Sequence, residues 1–121
     1  MTSHFILYVA DQLRSTDFYT KVLSIKPRLD VPGMTEFELG LETVLGLMPE
    51  TGASKLFGMY IGGSGARAEV YLIVDSPKEY HGRAIDAGAK EISPLMERDW
   101  GHTAAYSLDP DGHVLAFAKV T

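Results

Sequence analysis

Cysteine is absent from the 121 residues. Disulfide staples, thiolate nucleophiles and cysteine-held zinc are excluded together. No apolar run approaches the roughly 20 residues needed to cross a bilayer, so no transmembrane segment is expected. Basic residues are scarce as well: 11 Lys and Arg face 16 Asp and Glu, for a formal net charge of −5. Neutralising phosphates requires a basic face, which removes nucleic acid from the expected partners. The opening MTSHFILYVAD lacks a basic region ahead of a long apolar stretch, and Asp11 interrupts it early. A cytoplasmic protein without a signal peptide is therefore expected. The GGSG at 62–65 lacks the strand-then-helix context of a phosphate cradle, and no nucleophile elbow is present.

What remains is an ordinary globular composition, 45% hydrophobic and 22% charged, in a chain long enough for one core. The run at 4–9 (HFILYV) reads as a strand. Asp11 caps a helix whose apolar stripe is Leu13, Phe18, Val22 and Leu23. A short strand follows at 26–31, then a hairpin of 36–39 and 43–48 around Gly40. Residues 49–67 read as a linker loop with a short strand at 57–61, being rich in glycine and small polar residues. The run EVYLIV at 69–74 is a strand. Ser76-Pro77-Lys78-Glu79 starts a second helix that runs to Gly88, since serine caps, proline suits the first position and glutamate completes a capping box. Strands at 89–100, 102–108 and 114–120 complete the chain.

The order is β-α-β-β-β, linker, β-α-β-β-β, so the sequence is an internal repeat. It predicts an α+β fold: one domain over 1–121, with module 1 at about 1–50, the linker at 49–67 and module 2 at about 68–121. Matching Val9 to Val74 and VLGLM (44–48) to VLAFA (114–118) pairs His4 with Glu69 and Gly46 with Ala116. If both sheets curl around one cavity, these four positions face it in a pseudo-two-fold arrangement. The stretch SLDPDGHVLAFA (107–118) supplies the last of them: Asp-Pro-Asp-Gly is turn chemistry, and the strand after it alternates. Ala116 thus sits mid-strand on the inward face, where a methyl group neither binds a metal nor moves a proton.

The runs at 4–11, 15–27 (STDFYTKVLSIKP), 68–75 (AEVYLIVD) and 100–114 (WGHTAAYSLDPDGHV), with the paired modules, resemble the vicinal oxygen chelate superfamily, the glyoxalase/bleomycin-resistance/dioxygenase group. Ser24 departs from that pattern, which usually has a glycine closing the first helix. The resemblance implies curled mixed sheets around a cavity, a homodimer, and in the metal enzymes a ligand at each of the four matched positions. Here those positions carry His4, Gly46, Glu69 and Ala116, so two have no donor atom. A resident metal wants three or four protein ligands. His4 and Glu69 are left as the metal or acid–base candidates, meeting within one chain or across a dimer, or else packing separately.

The leading expectation is metal-independent binding of a small, planar, partly apolar molecule, as in drug-sequestering relatives, with no cofactor. The alternative is a divalent-metal-dependent lyase or isomerase of the lactoylglutathione lyase type, or a dioxygenase-like enzyme. Small residues at Gly46 and Ala116 would leave room for a ligand. Trp100 offers a stacking surface or a core anchor. His102 and Tyr106 share a face with Ala104, and Phe57, Met59 and Tyr60 form either an apolar lid or an edge strand that plugs the core or a partner chain. His81 and His113 are expected in solvent, as are Glu36, Glu38 and Glu42.

Overall fold

The computed structural model describes residues 1–63 and 65–121. Its elements run β1 (Ser3–Val9), α1 (Gln12–Leu23), β2 (Leu29–Val31), β3 (Met34–Gly40), β4 (Thr43–Pro49), α2 (Glu50–Phe57), β5 (Glu69–Ile73), α3 (Pro77–Asp86), β6 (Lys90–Glu97), β7 (His102–Leu108) and β8 (Val114–Val120). Two compact units result, one of residues 1–20 and 24–63, the other of 21–23 and 64–121. Each holds a mixed four-stranded sheet, ordered β1-β4-β3-β2 and β5-β8-β7-β6. The first strand of each repeat is parallel to the last and lies at the sheet edge, as a crossover through a helix requires.

Local chemistry sets the helix ends. The Asp11 carboxylate accepts the Arg14 amide at 3.0 Å, and the Ser76 hydroxyl accepts the Glu79 amide at 3.4 Å with Pro77 in the first turn. The α3 helix stops at Asp86, slightly before the expected Gly88, which takes φ +104° just beyond the end. In the first unit Phe18 and Tyr19 pack edge to face at 5.0 Å, and Tyr19 lies 6.4 Å from Phe37 of β3. Leu13 does not join this stripe but is exposed. Its neighbour Gln12 ties α1 to the β2–β3 turn, donating to Val31 O and Thr35 Oγ1 and accepting from the Gly33 amide. In the second unit Phe117 meets Tyr80 of α3 at 5.1 Å, under the Arg83 guanidinium.

Three expectations about elements need correction. Residues 50–57 are helix α2, and no strand forms at 57–61. Buried Ala53 anchors α2, and the Ser54 hydroxyl bonds both the amide and the carbonyl of Ile61, so local composition is overridden. The β2 strand begins only at Leu29, and β6 ends at Glu97, before Trp100.

Both histidines expected in solvent are buried. His81 Nε2 lies 2.8 Å from Glu91 Oε2, which accepts its proton, while the buried Nδ1 has no partner among the described residues. His113 is held by Asp109, whose carboxylate accepts the amides of Asp111 and His113 and the His113 Nδ1–H at 3.0 Å. The expected Asp-Pro-Asp-Gly turn is therefore locked by its first residue and the histidine beyond it, with Gly112 at φ +86°.

Two stability predictions arise here. Ser24 ends α1 at φ 57°, ψ 36°, a left-handed conformation that only glycine adopts without strain. Ser24→Gly raises stability by about 0.5–1 kcal/mol in urea unfolding. The hydrogen bond that His113 donates to Asp109 is the main cause holding its pKa above the ordinary 6.5; burial opposes it, the Asp109 and Asp111 charges add to it and Arg67 subtracts. A value raised by folding stabilises fully below pH 6.5 and is lost as pH rises through the folded-state value. The urea midpoint therefore falls from pH 6 to 9 more steeply in the native protein than in His113→Asn, and equal slopes would refute the pairing.

Candidate functional site

Register and alternation gather one set of side chains on a face of the second sheet. Tyr71 of β5 and Tyr106 of β7 both pair with Ala116 of the central strand β8. Ala104 and Ala118 are paired one step along on the same face. All three alanines are fully buried. The two tyrosine rings lean together to 6.4 Å across the strand between them, which only a small residue at 116 allows. Tyr71 then reaches on, its hydroxyl 2.7 Å from Nδ1 of His102, four residues before Tyr106 on β7.

The β6–β7 hairpin adds the remaining groups. The Arg98 amide bonds His102 O at 2.7 Å, and Gly101 at φ +87° turns the chain between them. Trp100 is thereby placed to donate its indole N–H to the Tyr71 hydroxyl at 3.1 Å. The Arg98 guanidinium lies 5.1 Å from the centre of the Tyr106 ring and donates to the carbonyls of Ala104 and Pro94. Burial, then the neighbouring Tyr71 and Glu69, raise the Tyr106 pKa, and Arg98 opposes them. Its phenol stays protonated at neutral pH.

Of the residues singled out in the sequence, Trp100, His102, Tyr106 and Ala116 thus come together on one face, and Glu69 begins the strand that carries Tyr71. Tyr71 and Arg98 were not anticipated. Tyr71 was readable, since it lies two residues beyond Glu69 on one strand and so on the same face. Arg98 was not, because its place depends on the hairpin turn.

The other candidates belong to the first unit. The half-exposed His4 has Nδ1 3.4 Å from Glu36 Oε2, and Glu36 also takes Arg28 at 3.0 Å. Glu36 is therefore largely covered, against the expectation of a solvated hairpin face, while Glu38 and Glu42 are exposed. A Cβ on Gly46 would meet Ile6 Cγ1 at 3.0 Å and Met34 Sδ at 3.4 Å, so side chains occupy the space beside it. Phe57, Met59 and Tyr60, at and just after the end of α2, are exposed. A groove of about 600 Å³ at the start of α1 is lined by Asp11, Gln12, Thr16, Asp30 and neighbours. None of the candidates lines it, and Gln12 and Thr16 in its wall already have partners.

A family profile described as the Glyoxalase/Bleomycin resistance protein/Dioxygenase superfamily matches residues 2–117. The chain belongs to this superfamily. No curated protein matches it by sequence. The fold is similar to a glyoxalase-related enzyme from Fulvimarina pelagi, with a TM-score of 0.87, 20% identity, and 98% of this chain and 87% of that one covered. It is similar also to a glyoxalase/bleomycin resistance protein/dioxygenase family enzyme from Burkholderia phytofirmans, at 0.85, 21% and 98% of each chain. A hypothetical protein from S. aureus gives 0.83 and 21%, covering 98% of this chain and 92% of that one.

The divalent ion of the superfamily's metal enzymes does not fit the donors present. Among the described residues no group of three or more His, Asp or Glu side chains is arranged to hold an ion. Gly46 and Ala116 offer no donor, and His4 faces a carboxylate already engaged by Arg28.

The alanine floor has a measurable consequence. Ala116→Leu pushes the rings of Tyr71 and Tyr106 apart, lowering stability by about 1–3 kcal/mol. It also changes the Trp100 emission, because the indole loses its hydrogen bond to Tyr71. A variant with native stability and emission would show that the methyl is not needed beneath the rings.

Proposed function

We propose that this superfamily member binds a small, planar, partly apolar molecule on the aromatic face of its second sheet, without a metal ion. The observation that carries the reading is the contact chain Trp100–Tyr71–His102 beside Tyr106, built over three buried alanines. Flat rings with polar tips suit stacking on a conjugated ligand while fixing its orientation. Trp100 is about half exposed, so its indole is open to such a ligand as well as bonded to Tyr71. The lack of a donor at positions 46 and 116 supports binding over metal-assisted lyase, isomerase or dioxygenase chemistry. Exposed Phe5 and Ile6 on the edge strand β1 support pairing with a second copy.

Trp100 is the only tryptophan and reports directly on this face. Titration with planar aromatic compounds is expected to quench its emission saturably, with affinity unchanged after exhaustive dialysis against a chelator. Loss of binding on dialysis, restored by nickel, zinc, manganese or iron, would transfer the protein to the metal-dependent class. Absence of quenching across an aromatic panel would remove the binding reading.

A further inference from the structure

The hydrogen bonds on the aromatic face run in one direction. An indole nitrogen only donates, so the Tyr71 oxygen accepts from Trp100. The phenol's own proton is then satisfied by pointing at Nδ1 of His102, 2.7 Å away. In this arrangement each group uses its partner, and successive bonds polarise one another. His102 is left as the tautomer protonated at Nε2. No hydrogen bond engages that nitrogen among the described residues, nor is it a buried atom lacking a partner. It is a donor turned toward solvent.

Two more donors stand nearby. The Tyr106 hydroxyl is protonated and makes no hydrogen bond among the described residues. Among the described residues Arg98 hydrogen-bonds only backbone carbonyls, and no carboxylate lies within ion-pair distance of it. Glu69, at the start of β5, pairs with Val114, whereas His102 pairs with Val120 at the other end of β8. Six residues of strand separate the two levels by roughly 20 Å. The donor end of the face therefore carries the Arg98 charge together with N–H and O–H groups that no carboxylate takes by hydrogen bond or ion pair among the described residues.

We propose that the ligand carries an anionic acceptor, a carboxylate or phenolate conjugated to its ring, which docks on His102 Nε2–H beside Arg98. This rests on the binding reading above and narrows its ligand to planar aromatic anions, excluding planar cations. The ring stacks on Trp100 and the tyrosines, while the charged oxygen takes the donors that the fold leaves open. Tyr71 acts here as a positioning residue, through the tautomer it imposes on His102.

The test uses three probes with one ring system: 2-naphthoate, neutral 2-naphthylmethanol and cationic 2-naphthylmethylamine, each titrated against Trp100 emission. The naphthoate is expected to bind at least about tenfold tighter than the amine, the size of one hydrogen bond to a charged group. Tyr71→Phe is expected to cost the naphthoate about tenfold more than it costs naphthylmethanol. Long-range proton–nitrogen spectra of the ligand-free protein are expected to show His102 protonated at Nε2, and as a tautomer mixture in Tyr71→Phe. Equal or reversed affinities for naphthoate and amine overturn the anion assignment while the binding face survives. Protonation of His102 at Nδ1 overturns the directed donor. No quenching by any of the three removes both the face and its preference.

Discussion

Tyr71 starts on an edge strand, and its hydroxyl ends beside a histidine two strands away, so its side chain must cross β8. A long side chain lies flat across a neighbouring strand only where that strand presents nothing larger than a methyl group. Ala116 and Ala118 on β8, with Ala104 on β7, supply that clearance. The opposite face of β8 carries Leu115 and Phe117, both fully buried, and Phe117 packs against Tyr80 of α3. Alternation along one strand therefore divides the second unit. Bulk goes toward the helix to hold the fold, and absence of bulk goes toward the aromatic face to hold the tyrosines. The trio of Tyr71, Trp100 and His102 has no room without it.

The first sheet repeats this topology with a different filling. Gly46 occupies the slot of Ala116, but Ile6 and Met34 approach it, so aliphatic groups stand where the second sheet has phenols. Its polar feature is instead Glu36, shared between His4 and Arg28. An ion placed beside His4 would have to displace a guanidinium held at 3.0 Å and would still gain only two protein ligands. Two copies of one supersecondary unit have thus taken separate side-chain chemistry while keeping strand order and register.

Much of this was legible in the sequence because the signals were local and periodic. The succession of strands along the chain, the starts of α1 and α3 and the Asp-Pro-Asp-Gly turn each rest on residues within one turn or one strand. The shared face of His102, Ala104 and Tyr106 likewise needed only alternation along one strand, whereas Ala116 joins it through the pairing of β7 with β8. What escaped depended on contacts distant in sequence or on competing local rules. The α2 helix hides in a glycine-rich stretch, since Ser54 closing on Ile61 and the burial of Ala53 leave no mark in composition. His81 and His113 looked solvated because their partners, Glu91 and Asp109, become visible only once the strands or the turn are folded. Leu13 matched the helical stripe yet is exposed, because Gln12 takes the anchoring role through its amide.

Superfamily membership fixes the frame and leaves the chemistry to the donors standing on it. A methyl at position 116 does more than withhold a ligand in this setting. It opens the space through which a neighbouring strand's tyrosine reaches a histidine, and the histidine then acquires a fixed proton and a direction. A carboxylate at position 116 would stand where the two tyrosine rings close over the strand. It would also place negative charge against Tyr106, raising further a pKa that Glu69 already raises. The metal-binding and the aromatic arrangements of this face are therefore mutually exclusive on steric and electrostatic grounds. The alanine at 116 is the residue through which the sequence selects the second.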